Sequence, residues 1–200
     1  MNLKKLSLNS ASIVIALLIS GCGSPQVKPT DAVFKVKTLK SSVIAKYSCP
    51  GTRIKKKSIL AVKAPDMLRF EIKGFFNEPF FMMTSKGHKL QAYFVQDNAY
   101  FEGELFDASS DSPASVLLNQ TGKLRIKGLD ITAVFAEKTD KPSALSTAEF
   151  SSGEYNISLS FTDPEINRDI PDKVFELIPP KKARKISEED INRYLTKWSK

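Results

Sequence analysis

Few side chains in this 200-residue chain could do chemistry: one histidine, His88, and two cysteines, Cys22 and Cys49. A serine–histidine–aspartate apparatus could be built only on His88, and a His/Cys zinc site could draw on at most three ligands. Two cysteines also exclude a dense disulfide framework. His88 follows a turn glycine, Gly87, and reads as a surface residue at the start of a strand. Asp107, Asp111 and Glu149 lie in polar segments without acid/base spacing, and no nucleophile elbow is present. The expectation is a protein that is not an enzyme and carries no metal or cofactor.

Cys22 offers a different chemistry. Leu18-Ile19-Ser20-Gly21-Cys22 resembles the bacterial lipobox, in which small residues fit the processing peptidase and the thiol is acylated before cleavage. Ahead of it stand Lys4 and Lys5 and an apolar stretch from Ala11 to Ile19. That stretch is shorter than the ~20 residues a membrane span needs and fits a signal peptide. Residues 1–21 are therefore expected to be a lipoprotein signal peptide, and Cys22 the acylated mature N-terminus. Its removal takes away two lysines and no acids, leaving 179 residues at a net charge of +6 instead of +8. Two or more acyl chains make a stable anchor. The chain should thus be held on a membrane without spanning it. The absence of Asp after Cys22 favours the outer membrane by analogy, with the protein facing the periplasm. Cys49, then without a cysteine partner, reads as a small hydrophobe at the end of a strand.

The elements beyond the anchor follow from periodicity. Residues 22–32, the acylated N-terminus and a Pro-containing polar tether, lead into a domain expected over 33–185, with residues 186–200 as a C-terminal helix and tail. The dominant period in the domain is two. Leu68, Phe70 and Ile72 alternate with Arg69, Glu71 and Lys73; Leu124 and Ile126 alternate with charged residues; Tyr155, Ile157, Leu159 and Phe161 alternate with polar ones. Turn signals at Pro50-Gly51, Ala64-Pro65-Asp66, Lys86-Gly87 and Gln96-Asp97-Asn98 set off further strands over 54–63, 67–74, 89–96 and 99–104. Residues 31–42 are compatible with a short helix or with a strand. Ser112-Pro113 predicts a short helix to Asn119, and Ser187 with Glu188, Glu189 and Asp190 predicts a helix to Trp198 with Ile191, Tyr194, Leu195 and Trp198 on one face. Short connections imply an antiparallel meander. So large a sheet with so little helix must cover its apolar face by curling. The expected fold class is mainly β: a curled antiparallel sheet forming a half-open barrel, with short helices as plug or lid, and an apolar interior suited to acyl chains.

Two adjacent phenylalanines, Phe75 and Phe76, cannot both face inward on one strand, and Asn77-Glu78-Pro79 places them by a turn. The following Phe80, Phe81, Met82 and Met83 read as a buried strand. Arg53 with Lys55, Lys56 and Lys57, and Lys181, Lys182, Arg184 and Lys185 further on, could attract anionic head groups or simply be solvated strand faces and tail. Export and the apolar alternation of the aromatics disfavour nucleic acid.

Residues 60–94, with Val62-Lys63, the Pro65 corner, the strand Leu68–Lys73, a loop, an apolar strand, Ser85-x-Gly87, Leu90 and Tyr93, resemble the lipoprotein-localisation fold of LolA and LolB. Phe175 to Pro180, preceded by Pro171-Asp172, resembles the Phe-x-x-x-Pro-Pro close of these domains. The resemblance implies a half-open barrel whose interior takes lipoprotein acyl chains, with Leu68, Phe70, Ile72, Phe81, Met83 and Phe94 as cavity candidates. The carrier LolA has an Arg before the corner proline; here the residue is Ala64. With its lipobox, the chain is closer to LolB, whose protruding apolar loop works at the membrane, a role that falls by position to Phe75 or Phe76. The implied partners are acyl chains or phospholipid, the membrane through Cys22, and a LolA-like periplasmic carrier; the protein is expected to be a monomer. The function implied is assistance in placing lipoproteins in the outer membrane. The other reading is an envelope assembly lipoprotein that uses the same fold to bind a protein partner.

Overall fold

The computed structural model describes residues 36–50, 52–126, 129–138 and 141–191. Cys22, the signal region, the tether and Tyr194, Leu195 and Trp198 lie outside the described residues. The strands are β1 (Thr38–Cys49), β2 (Thr52–Lys63), β3 (Met67–Lys73), β4 (Pro79–Lys86), β5 (Lys89–Phe94), β6 (Ala99–Glu104), β7 (Leu124–Ile126), β8 (Leu129–Lys138), β9 (Lys141–Ser152), β10 (Tyr155–Ile166) and β11 (Arg184–Lys185). A short helix, α1 (Pro113–Asn119), follows β6, and a 3-10 turn at Asp172–Phe175 precedes β11. All the strands belong to one sheet, in the order β11-β6-β5-β4-β3-β2-β1-β10-β9-β8-β7. Two antiparallel meanders, β1–β6 and β7–β10, are joined where β1 pairs with β10. The short β11 runs parallel to β6.

The sheet curls without closing. Its outermost strands are β11 and β7, and the segment after β6 meets β7 through the bridge Phe106↔Ile126 and the bond from Asp107 N to Arg125 O at 2.9 Å, and meets Lys123 just before it through Asp111 N to Lys123 O at 2.8 Å. This is the mainly β, half-open architecture expected from the period-two runs and the scarcity of helix.

Alternation fixes which side chains face inward. Leu68, Phe70 and Ile72 of β3 stand opposite Val62, Leu60 and Ser58 of β2 on one side, and Ser85, Met83 and Phe81 of β4 on the other. The stretch 31–42, open to a helical reading, enters β1 at Thr38 as strand, and its residues 31–35 are outside the described set. The reason lies in the pairing: Leu39 sits between Val62 and Ile166, and Ser41, the polar break in the alternation, donates its buried hydroxyl to Thr162 O at 2.9 Å.

Helix α1 forms where Ser112 and Pro113 predict it. The Ser112 hydroxyl accepts from Ser115 N at 3.2 Å, and Pro113 occupies the first turn. Ala114, Leu117 and Leu118 then pack into a core with Leu39, Val43, Leu60, Val62, Leu68, Leu145, Leu159 and Phe161. The chain leaves the helix through Gly122 at φ 134°, where a Cβ would come within 2.9 Å of Val116 Cγ2, so only glycine fits this close return.

After β10 the chain crosses the outer face of the sheet. Ile170 and Phe175 pack on Ala61, Val174 and Met67 there, and Lys63 Nζ donates to Ile170 O at 2.8 Å. Past β11, Ile186 turns inward beside Phe94, Ala99 and Phe101, and Ile191 joins the same cluster. The helix opens at residues 188–191 as the sequence predicts. Ser187 Oγ accepts from Asp190 N at 3.4 Å, while Ser187 N donates to Asp190 Oδ2 at 3.3 Å, a reciprocal cap.

Candidate functional site

The antiparallel connections give the half-barrel two unlike ends. At one lie the β2–β3 corner, where Ala64–Pro65 is cis, the β4–β5 turn and the core around α1. At the other lie the β1–β2, β3–β4, β5–β6 and β9–β10 connections. Because β1, β2, β9 and β10 each have 12 residues and β3 has 7, the long strands run on past Ile72 toward this second end.

Burial falls along the concave face in the same direction. Leu39, Val62 and Leu68, next to α1, are at most 3% exposed. Three same-face positions on from Leu39, Ala45 and Phe135 are half-buried although Leu159 and Ala148 of the same row stay buried, and at the far end Tyr47, Ile54 and Phe150 are half-buried, with Ile157 at 43%. Tyr155, at the start of β10, is exposed. The end of the sheet that α1 does not fill is thus lined mostly by apolar side chains with surface still open, with the exposed Lys56 among them across from Ala45.

The six residues named as cavity candidates all lie on the concave face as neighbours. Phe70 faces Met83, Ile72 faces Phe81, and Phe81 faces Phe94 with ring centroids 5.3 Å apart. They divide by environment. Leu68 is spent in the core around α1, and Phe81 and Phe94 are buried in the neighbouring cluster. Phe70, Ile72 and Met83 are half-buried; Phe70 and Met83 pack against both clusters, and Ile72 against the second. Among them sits Ser58 of β2, 3% exposed, whose hydroxyl has no hydrogen-bond partner among the described residues. A buried hydroxyl without a partner costs free energy unless some polar atom reaches it.

Phe75 and Phe76 crown the β3–β4 loop, 93% and 85% exposed, with rings edge-to-face at 5.1 Å. The loop closes through Gly74 N to Glu78 O at 2.8 Å and Asn77 N to Gly74 O at 3.2 Å, with Asn77 at φ 66°. Neither ring folds back onto the barrel mouth. Of the strand that follows, Phe81 is buried, while Phe80, Met82 and Met83 remain half-buried.

The outer face carries an ionic cluster that sequence reasoning did not single out. Glu71 of β3 accepts from Arg69 Nε and Lys73 Nζ, both at 2.8 Å. Burial pushes its carboxyl up, but the hydrogen bonds from Lys73 and Arg69 outweigh this and hold it below its ordinary value of 4.5. The guanidinium also donates from Nη1 to Val174 O and Glu176 O, each at 3.1 Å, tying the C-terminal crossing to β3. The i, i+2 charge pattern hints at the cluster; the backbone acceptors, 105 and 107 residues away, leave no sequence trace. A cleft of about 580 Å³ lies beside this crossing, lined by Thr84, Gln91, Glu102, Phe175 and Leu177 among others and by none of the residues named for acyl chains. His88, expected at the surface at the start of a strand, lies in the β4–β5 turn one residue before β5 and is half-buried, its Nδ1 without a partner among the described residues. Among the described residues no group of three His, Cys, Asp or Glu could hold a metal ion.

No family model matches the chain, and no curated protein matches it. Similar solved structures include a LolA superfamily protein from Nitrosomonas europaea, 11% identical with a TM-score of 0.47, covering 72% of this chain and 92% of that one. An uncharacterized conserved protein from Thermus thermophilus is 11% identical with a TM-score of 0.43, covering 76% and 90%. A DUF1329 family protein from Desulfovibrio piger is 8% identical with a TM-score of 0.42, covering 73% and 92%.

Proposed function

We propose that this protein is a non-enzymatic lipoprotein, anchored through acylated Cys22 at the periplasmic face of the outer membrane, that takes up acyl chains and assists the insertion of other lipoproteins into that membrane. The observation that carries the reading is the unfilled end of the half-barrel. Half-buried Phe70, Ile72 and Met83 continue into Tyr47, Ile54, Phe150 and Ile157, giving a guest chain apolar surface to cover without displacing the core around α1. Each methylene so buried contributes about 0.8 kcal/mol. The Ser58 hydroxyl offers the ester or amide carbonyl of such a guest a donor beside Phe70, Ile72 and Met83, with Lys56 next on the same face.

The Phe75–Phe76 loop supports the membrane half of the reading. Two aromatic rings held almost wholly in solvent are costly to leave there, and each contributes roughly 1.5–3 kcal/mol when transferred into lipid. The absence of an arginine at Ala64 and the lipobox at Cys22 align the chain with the LolB side of the resemblance. Depletion of the protein followed by membrane fractionation tests the role: other lipoproteins should accumulate away from the outer membrane, and their normal arrival there would refute it. Labelling with palmitate, present in wild type and lost in Cys22→Ala, tests the anchor.

The second reading, a lipoprotein that binds a protein partner, draws on Ile178, an apolar side chain 84% exposed on the C-terminal crossing. Extraction of the purified protein separates the two readings, since a barrel that never carries lipid speaks for the partner.

A further inference from the structure

Beyond Ser58, which pairs with Ile72, β2 runs on through residues 52–57 beside β1 alone, because β3 has already turned into the Phe75–Phe76 loop. This strip is densely cationic. Arg53, Lys55 and Lys57 are exposed on its outer face together with Lys46 of β1, which stands directly across from Lys55, while the exposed Lys56, across from Ala45, belongs to the concave face. Like charges directly opposite on a sheet oppose folding. None of the five makes a salt bridge among the described residues, whereas Lys63, Arg69 and Lys73 on the neighbouring part of the sheet all do. The acids that the register brings near do not relieve the cluster: Glu71, across from Ile59 and diagonal to Lys57, is already held by Arg69 and Lys73, and Glu149 is two strands from Lys46 through Ser158. One contact joins the strip to the loop, since Lys56 Nζ lies 5.8 Å from the ring centre of Phe80, the residue that follows the loop's closing Pro79.

We propose that the β1–β2 hairpin and the Phe75–Phe76 loop form one membrane-contact surface that requires anionic phospholipid, the rings entering the bilayer and the four outer-face cations, Lys46, Arg53, Lys55 and Lys57, lying on phosphate head groups. The inference rests on the reading of the loop as a membrane contact and names the lipid it meets. The charge complementarity is direct: an uncompensated row of cations needs a dense array of anions, and an anionic leaflet supplies one beside the apolar depth that two exposed rings require. Each cation at such a surface favours binding by roughly fivefold, an effect that salt screens. The lysines also blunt the unpaired edge of β2 against strand addition; if that were their whole role, the lipid's charge would be irrelevant.

The test uses the purified protein reconstituted into vesicles, with Phe76→Trp as a depth reporter and brominated phosphatidylcholine as quencher, read as the difference from the parent chain. Quenching should be at least threefold stronger in vesicles with 30 mol% phosphatidylglycerol than in phosphatidylcholine alone, on the order expected if one or two cations engage. Adding Arg53→Gln, Lys55→Gln and Lys57→Gln should remove most of that difference while leaving the circular dichroism spectrum unchanged. Equal quenching of the reporter in both membranes, or a triple variant that keeps the dependence, overturns the proposal while leaving the loop's membrane contact standing. No quenching in either membrane overturns both.

Discussion

The two ends of the half-barrel are built from the same strands and treated oppositely. Next to α1, Leu39, Val62 and Leu68 are sealed by Ala114, Leu117 and Leu118. At the other end the same faces of β1, β2, β9 and β10 carry Tyr47, Ile54, Phe150 and Ile157 with surface left in solvent, and the adjacent loop holds Phe75 and Phe76 fully out. A chain selected only to fold would gain by covering that surface, at about 25 cal/mol per Å². The contrast teaches that stability is concentrated at the filled end and that the apolar surface of the open end is available to something other than the protein's own core.

The comparison breaks most readily at the sealed end. Leu60→Ala, 1% exposed and packed in the α1 cluster, should lower stability by about 3 kcal/mol in urea unfolding, while Ile157→Ala on the same sheet costs less than about 1 kcal/mol. Similar losses at both sites would remove the distinction between the ends. At the open end, Phe76→Glu should leave the unfolding midpoint within error yet reduce lipoprotein insertion at least tenfold, because its ring touches little but Phe75. A variant that inserts as well as wild type would contradict the role given to the loop. Ser112→Ala removes the cap of α1 and should cost about 1 kcal/mol, sharpening the claim that the helix is the seal.

Smaller effects come from the charges. Glu71 is held below its ordinary value, so the stability it contributes is present above pH 4.5 and is lost as the pH falls through its depressed folded value. Acid unfolding followed by circular dichroism should show this loss in wild type, and Glu71→Gln, less stable at neutral pH, should show a flatter dependence there. Lys55→Gln relieves the repulsion with Lys46 and should raise stability by a few tenths of a kcal/mol; a clear loss would mean that the lysine has an internal partner.

Much of this is legible in the residues, and the exceptions have identifiable causes. The alternations in β3 and β10 place Leu68, Phe70, Ile72, Leu159 and Phe161 on the concave face, and Ser112-Pro113 marks α1, because both signals are local. The beginning of β1 is ambiguous in sequence because Ser41 interrupts the apolar face, its hydroxyl satisfied by the neighbouring Ser42 O and by Thr162 O, 121 residues away. Which cavity candidates are spent in the core and which keep open surface depends on where α1 docks, so Leu68 and Met83 look alike in sequence and differ in the fold. The doublet Phe75-Phe76 requires that at least one ring leave the face; that both do follows from the Gly74–Glu78 closure. Ile186 and the grip of Arg69 on the C-terminal crossing depend on pairings too distant to leave a pattern.

The central claim is that acyl chains lie at the open end of the sheet. Its most direct test is photo-crosslinking of the purified protein with a diacylated peptide whose acyl chains carry a diazirine, followed by mapping of the adducts by mass spectrometry. The account predicts adducts on Phe70, Ile72 and Met83 and on Tyr47, Ile54, Phe150 and Ile157, and none on Leu117 or Leu118 of α1. Adducts confined to exposed positions such as Ile178, or none above a non-acylated control, would contradict it.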